Sequence, residues 1–297
     1  SEPGRATDVQ AGSAAKPASG PRRPWRAAGL VLGINLGVWA YDYHGLDEDY
    51  AYVNPSTIRY NLSHWDIWDT DGFKTNFFAH PYHGSSYFNS ARANGLGFWP
   101  SALYTFGGSL MWELGLERLP PNVTDLVNTT MGGWFLGEVA HRFSSLILDD
   151  SAHGFERVWR EAVGMLINPA RGFNRLLDGD MKGESSSPSR LSVPFSGVAM
   201  LSDGAVSQTA SLAGYKSSPM LSFSCEYGDP HVTDASRQPF DYFIFDVATR
   251  YTNRTAYFSI CTNGLFLGHN LVSGAGHDLV LGLFQDFDFL NNEAVYL

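Results

Sequence analysis

The spacing of apolar and polar residues divides the chain into a helical first part and a strand-rich second part. In the first part, apolar residues recur with the period of a helix, and Pro, Gly and Asn separate the periodic segments. This pattern predicts helices at 27–41, 99–117, about 124–148 and about 154–166. From residue 191 onward, turn residues separate five strand-like segments, at 191–202, 218–227, 240–252, 255–267 and 278–289. We therefore predict an α+β fold, with an N-terminal helical domain followed by antiparallel β strands.

The same pattern predicts the domain boundaries. Residues 1–24 are rich in Ala, Gly, Ser and Pro and have no apolar period, which is typical of a disordered tail. The helical domain is expected at 25–180 and the antiparallel β region at 191–297. A Ser-rich linker at 181–190 is expected to join them.

The first apolar run has some features of a signal sequence. Three arginines precede the run 27–41, but no small-residue cleavage motif follows it. The run is also shorter than the roughly 20 apolar residues that span a bilayer. We interpret it as a core helix, in which the stripe of Gly29, Gly33 and Gly37 packs closely against a neighbour.

The two strongest predicted helices each carry a polar face. The helix at 99–117 is apolar except for residues four apart, namely Ser101, Thr105, Ser109, Glu113 and Glu117. Because an unpaired buried carboxylate is costly, this stripe must face water in a cleft or a polar partner. The helix at 124–148 has a face of small residues, and Glu138 and His141 project from one side of it. Asp125 and Asn128 have the residue types of a helix start.

Composition narrows the function classes. The chain has 297 residues and a formal net charge of -10, so it lacks the Lys/Arg surplus that nucleic acid or an anionic lipid surface would attract. Only 17% of residues are charged, which fits both an envelope protein and an ordinary buried core. Cys225 and Cys261 both fall in predicted strands. A single disulfide and two unpaired thiols are both compatible with this placement.

Several long motifs resemble one bacterial family. They include the run from Thr75 to Phe88, which contains His-Pro-Tyr-His-Gly, together with Ala91–Gly95, Met111–Glu113, Asp125 with Asn128, Gly137–Arg142, Asn168–Gly172, Tyr227–Asp229, Pro239–Phe243 and Phe284–Asp288. The chain resembles, over roughly residues 28 to 297, the family known as domain of unknown function 3943.

The resemblance implies a bacterial cell-envelope protein of the outer membrane and periplasm. It implies a strand region like part of an outer-membrane barrel and outer-membrane lipid as the partner. Five strands are fewer than the roughly eight of the smallest single-chain barrels, so we predict an incomplete barrel. No activity follows from the family, and the first hypothesis is a structural or pore-type role with a periplasmic helical domain.

Three interpretations of the candidate site stay open. Imidazole and carboxylate groups suit a transition metal, which predicts His80, His83, Glu138 and His141 as ligands. The same chemistry without metal predicts a hydrolase of envelope lipid or glycan, with His80, His83, Glu113, Glu138 and His141 as catalytic residues. Ser85, Ser86 or Ser109 would supply the nucleophile, although no Gly-x-Ser-x-Gly motif occurs. The third interpretation is a buried network in which these groups pair with Arg92 and Arg142.

Overall fold

The computed structural model describes residues 21–66, 68, 72–181, 193–206, 216–231, 237–252, 255–274 and 277–291. The predicted tail up to residue 20 and the predicted linker from residue 182 to 190 lie outside these residues. The helical part comes first. Its helices are α1 (Pro24–Tyr41), α2 (Pro55–Asn61), α3 (His80–Arg92), α4 (Phe98–Gly115), α5 (Val123–Val127), α6 (Gly133–Ile147), α7 (Gly154–Ile167) and α8 (Pro169–Asp178).

Asparagine and proline fix where several helices start. The side chains of Asn54, Asn122 and Asn168 accept hydrogen bonds from the first-turn backbone amides of α2, α5 and α8. Pro55 and Pro169 occupy first helical positions, where a missing amide proton costs nothing. A π-helical turn at Asn128–Gly132 joins α5 to α6, so the predicted helix at about 124–148 is confirmed as one continuous helical segment. Asn128 lies in that turn rather than at a helix start.

The strand part forms one antiparallel sheet. Its strands are β1 (Phe195–Val206), β2 (Lys216–Tyr227), β3 (Phe243–Thr252), β4 (Thr255–Gly274) and β5 (His277–Asn291). Each strand pairs with the next one in the chain, in the order β1-β2-β3-β4-β5. The prediction of an α+β fold, with helices first and antiparallel strands second, is confirmed.

An aromatic core joins the two parts. Phe135 of α6 stands edge-on to Phe240, with ring centroids 4.8 Å apart, and Tyr227 stacks on Phe243 at 4.8 Å. Phe88 and Phe98 add the side chains of α3 and α4 to the same buried cluster. Such aromatic pairs contribute about 0.5–1.5 kcal/mol each beyond the area they bury. The helices and the sheet therefore share one hydrophobic core.

Helices α3 and α6 pack with their backbones in contact. A Cβ atom on Gly84 would collide with the Thr129 carbonyl oxygen, and one on Gly133 would lie 2.5 Å from the Gly84 carbonyl carbon. A Cβ on Gly137 would lie 2.7 Å from the Phe88 ring. The predicted small-residue face of α6 thus lies against α3.

The glycine stripe of α1 differs from its prediction. Gly29, Gly33 and Gly37 are exposed, and a Cβ atom on any of them would meet open space. Helix α1 instead buries Ala27, Val31 and Asn35. The spacing of the glycines predicted that their face of α1 packs against a neighbour. In the structure, the face that carries Asn35 points inward instead. The Asn35 side chain amide must find a partner when it is buried, and it donates to the Gly108 carbonyl oxygen at 3.1 Å.

Within the described residues, no helix combines the length and the apolar character needed to cross a membrane.

Candidate functional site

The first group of candidate residues lies where α3 begins, and we call it the histidine cluster (His80, His83, Tyr87, Glu113, Asp125 and Thr129). His80 Nδ1 lies 3.1 Å from Thr129 Oγ1, and its Nε2 lies 3.5 Å from Asp125 Oδ1. His83 Nε2 lies 2.9 Å from the Tyr87 hydroxyl. Glu113 Oε2 accepts a hydrogen bond of 3.3 Å from the Asn122 backbone amide. In the polar stripe of α4, Glu113 therefore has a polar partner outside its helix, whereas Ser101 and Thr105 donate to backbone carbonyl oxygens one turn earlier.

Burial controls the protonation of this cluster. Loss of hydration, with a smaller contribution from the nearby His80, lowers the pKa of His83 to about 4. Burial also raises the pKa of Tyr87 well above its usual value, and the charge of Glu113 adds to this effect. The Tyr87 hydroxyl donates to the Asn35 side chain. His83 is therefore neutral at physiological pH and serves here as a hydrogen-bonding group.

The second group, the Glu138 cluster (Arg92, Glu138, His141, Arg142 and Asp241), lies further along α3 and α6. Glu138 is fully buried, at 0% exposure. Arg92 donates two hydrogen bonds of 2.8 Å to its carboxylate, from Nε and from Nη2. Arg142 Nε lies 3.0 Å from Glu138 Oε1, and Arg142 Nη2 lies 2.7 Å from Asp241 Oδ1. Arg142 therefore connects α6 to the segment before β3.

The charges of the Glu138 cluster balance within the protein. Burial alone would lower the pKa of Arg142, but Glu138 and Asp241 outweigh it, so the pKa is raised above its usual value. Burial lowers the pKa of His141, and the neighbouring Arg92, Arg171 and Arg142 lower it further. A neutral imidazole surrounded by guanidinium groups is a poor site for a cation.

A third group was not predicted from the sequence. It consists of Asp150 in the turn before α7, Arg157 and Glu161 on α7, and Arg175 on α8. We call it the hairpin cluster, because α7 and α8 are joined by a short turn. Arg175 donates to both oxygens of Glu161, at 3.0 and 2.6 Å, and to Asp150 Oδ1 at 2.6 Å. Arg157 lies 3.5 Å from Glu161. The four-residue spacing of Arg157 and Glu161 was the available signal, but the turn at Asn168–Pro169 is needed to bring in Arg175.

The structure divides the predicted site residues between two clusters. His80, His83 and Glu113 belong to the histidine cluster, whereas Glu138 and His141 belong to the Glu138 cluster. On α3, His83 and Arg92 are separated by roughly 13 Å along the helix axis. Among the residues that the structure describes, no three His, Cys, Asp or Glu side chains come close enough to hold a metal ion. The predicted metal site of His80, His83, Glu138 and His141 is therefore not assembled, because Glu138 binds two arginines instead.

The predicted serine nucleophiles are also occupied or enclosed. The Ser86 hydroxyl donates to the Tyr82 carbonyl oxygen at 3.2 Å, within the same helix. Ser85 and Ser109 are buried. Two hydroxyls lie beside candidate bases, that of Tyr87 beside His83 and that of Thr129 beside His80, and both residues are buried. Sequence analysis did not select Thr129, since only the packing of α3 against α5 and the π-helical turn brings it to the histidine.

The surface around these clusters is apolar. On α4, Ser101, Thr105, Ser109 and Glu113 are buried, whereas Leu103 is 72% exposed. Phe106 of α4 is also exposed, and the exposed apolar side chains of the other helical segments include Leu32, Leu36, Val123, Val127, Met131, Phe155, Val158, Leu166, Phe173, Leu176 and Leu177. The helical part thus buries several paired charged groups and exposes several large apolar groups, while other charged residues such as Arg59 and Glu156 remain on its surface.

One family model matches the part of the chain that carries most of these residues. Residues 65–170 match the model of the family described as "Domain of unknown function (DUF3943)". Searches of curated proteins and of solved structures found no match. The matched range includes the His-Pro-Tyr-His-Gly motif and both Glu113 and Glu138, whereas the strand motifs after residue 226 lie outside it. Residues 65–170 of this chain therefore carry the domain of the family that the motifs predicted, domain of unknown function 3943.

Proposed function

We propose that this chain is a membrane-associated protein of the bacterial cell envelope with a structural or pore-type role. In this proposal, outer-membrane lipid is its partner and the sheet is part of an outer-membrane barrel. The observation that carries the proposal is the inverted distribution of polarity over the helices. Helices that bury ionised groups such as Glu138 and Glu161 and expose apolar side chains such as Leu103 suit apolar surroundings better than water.

The energetics support this environment. Each square ångström of apolar surface left in water costs about 25 cal/mol, and soluble monomers rarely expose continuous patches above a few hundred Å². In a bilayer this cost disappears, and a polar side chain such as Asn35, which donates from α1 to the Gly108 carbonyl oxygen of α4, contributes a hydrogen bond between helices. Ionisable groups in such surroundings face the protein interior and pair with one another. Glu138 and Glu161 both do so.

A structural role fits the pairing of the Glu138 cluster. A catalytic carboxylate needs access to substrate, but Glu138 is fully buried and is bound by two arginines. Arg142 uses its remaining contacts to bind Asp241 and the Pro239 carbonyl oxygen. This cluster therefore acts as the connection between the helices and the sheet.

Phase separation and gel migration test the proposal. The purified chain is expected to partition into the detergent phase of a cloud-point separation and to float with liposomes. Heat-modifiable migration in a denaturing gel is expected if the sheet belongs to a stable barrel. Recovery in the aqueous phase without detergent, together with migration that heating does not change, would overturn the proposal.

A hydrolase of envelope lipid or glycan is the second candidate, and one observation favours it. The Thr129 hydroxyl oxygen lies 3.1 Å from His80 Nδ1, and Asp125 Oδ1 lies 3.5 Å from His80 Nε2. The imidazole therefore stands between a hydroxyl and a carboxylate, which is the arrangement of an activated nucleophile. Release of fatty acid or sugar from purified envelope fractions would support this candidate if His80→Gln abolished the release. The matched control is His64→Gln, which changes an exposed histidine. Equal release by the two variants would eliminate it.

A further inference from the structure

The pair of helices α7 and α8 shows the inverted polarity most clearly. Their buried face carries Arg157, Glu161 and Arg175, which are held in the hairpin cluster. Their outward face is apolar along both helices and consists of Phe155, Val158, Trp159, Leu166, Phe173, Leu176 and Leu177. Phe155 is 83% exposed and Leu166 is 81% exposed.

The orientation of this apolar face is fixed by two close contacts. A Cβ atom on Gly164 would lie 2.8 Å from Leu148 Cδ2, and one on Gly172 would lie 2.5 Å from Met165 Cγ. Neither helix can therefore rotate to bring its apolar residues inward. Rotation would also separate Arg175 from Glu161 and leave both charges unpaired, which is strongly unfavourable.

The dimensions of the helix pair favour a position along a membrane surface. Helix α7 has 14 residues and α8 has 10, which correspond to lengths of about 21 and 15 Å. Both are shorter than the roughly 30 Å of a hydrocarbon core. A helix with one apolar and one charged face lies in the plane of the lipid boundary with its apolar face down. The Arg160 guanidinium lies 4.9 Å over the Trp159 ring, and such aromatic groups are enriched at that boundary.

The charge of the helix pair distinguishes apolar insertion from electrostatic attraction. The segment from His153 to Asp180 contains four arginines and four acidic residues, so its formal charge is zero with histidine neutral. The acidic residues are Glu156, Glu161, Asp178 and Asp180, and the arginines are Arg157, Arg160, Arg171 and Arg175. Binding through this surface should therefore require no anionic lipid and should change little with salt.

We propose that the outward face of α7 and α8 inserts into the boundary between headgroups and acyl chains of a lipid bilayer. This inference rests on the proposed membrane association and names the surface that makes the contact. The ion pairs of the hairpin cluster hold α7 and α8 together as one unit. The apolar area of seven side chains supplies the binding energy.

Site-specific fluorescence tests the inference in the full chain. An environment-sensitive fluorophore is attached at Leu166→Cys in a background with Cys225→Ala and Cys261→Ala, and the labelled chain is mixed with phosphatidylcholine vesicles. The control label is at Arg59→Cys, an exposed polar position on α2. We expect a several-fold gain in emission and a blue shift at position 166, and quenching there by a nitroxide on the lipid acyl chain. The label at position 59 should show neither change.

Each other outcome has a defined meaning. If the chain floats with vesicles but the label at 166 stays aqueous, the inserted surface lies elsewhere, and the inference fails while the proposed function stands. If the chain does not float at all, the proposed function fails as well. An increase in emission that depends on protein concentration and that the lipid nitroxide does not quench would show that the surface binds a second copy of the chain. That result would overturn the inference. A gain that needs phosphatidylglycerol and is lost in high salt would overturn apolar insertion.

Discussion

The Glu138 carboxylate of α6 accepts two hydrogen bonds of 2.8 Å from the Arg92 guanidinium of α3. These two residues are 46 positions apart in the chain, and Glu138 has no exposed surface. Their contact lies at the end of the tight packing between α3 and α6, and Arg142 continues it toward the sheet. The pair therefore determines how the two helices align.

Replacing Glu138 tests the weight of this pairing. Glu138→Gln is expected to lower the free energy of unfolding by about 3–5 kcal/mol, because Arg92 would lose its carboxylate partner and Arg142 would keep only Asp241. Chemical denaturation followed by circular dichroism measures the change. Glu156→Gln, at a largely exposed position of α7, is the matched control and should stay within about 0.5 kcal/mol of the wild type. Equal stability of the two variants would contradict the prediction.

The different surroundings of Gly84 on α3 and Gly33 on α1 predict different effects of alanine on stability. Gly84→Ala places a methyl group against the Thr129 carbonyl oxygen, so the helices must separate and the variant should lose at least about 2 kcal/mol of stability. Gly33→Ala on α1 meets open space and should be neutral or stabilising by up to about 1 kcal/mol, since alanine favours a helix. Thermal denaturation of both variants in one detergent solution compares their stabilities. The prediction fails if Gly33→Ala is the more harmful change.

Histidine burial predicts a pH dependence of stability. The pKa of His83 is about 4 in the folded chain, below the usual value near 6.5, so the unfolded chain binds more protons between these values. Stability is therefore complete above pH 6.5 and falls as the pH decreases toward 4. One such histidine corresponds to a loss of about 2 kcal/mol at pH 5. The lowered pKa of His141 acts in the same direction.

Denaturation at pH 7.5 and pH 5 separates this effect from that of carboxylates. His83→Gln keeps a hydrogen-bonding group and removes the titration, so its loss of stability between the two pH values should be smaller than that of the wild type. His64→Gln changes an exposed histidine and should retain the wild-type loss. A His83→Gln variant with the full wild-type loss would show that other groups cause it.

The two cysteines are predicted to remain unbonded. Cys225 pairs with Phe245 of β3 and Cys261 pairs with Asp246, and successive residues of a strand point to opposite faces. Both thiols are free in the structure, and burial raises the pKa of Cys225 to about 12. A thiol reagent at pH 8 should react slowly with Cys225 in the folded chain and with both residues after unfolding. The absence of both thiols in the unfolded, non-reduced protein would contradict this prediction.

Local periodicity was sufficient for the elements but not for their orientation. The polar stripe from Ser101 to Glu113 predicted both the helix and its polar interior, because the signal lies within one segment. The stripe of Gly29, Gly33 and Gly37 was wrongly predicted to be packed, since the pattern does not show whether a smooth face meets protein or another environment. The inverted faces of α7 and α8 look like any amphipathic helix in sequence. Their direction depends on the contact of Arg175 with Glu161.

The candidate site was predicted in its composition but not in its grouping. Glu138 and His141 were placed together because they are three residues apart on one helix. In the structure, the side chain of Glu138 binds Arg92, and the ring of His141 lies among three guanidinium groups. Of these partners, Arg92 comes from α3 and Arg171 from α8, whereas Arg142 is the neighbour of His141 on α6. Long-range pairing of charges leaves no periodic signal, so the sequence could name the residues without assigning their partners.

The order of strands in the sheet is also the order in which a ribosome makes them. Each strand pairs with the one synthesised just before it, so the sheet can form hairpin by hairpin with low contact order. The helices are made earlier, and Phe135 must wait for Phe240 and Phe243 before its ring is covered. At ordinary rates of translation that interval is roughly 5–20 s. During it, the aromatic side chains that the sheet later covers stay exposed on the helical part, which makes it a suitable client for a holding chaperone until the sheet is made.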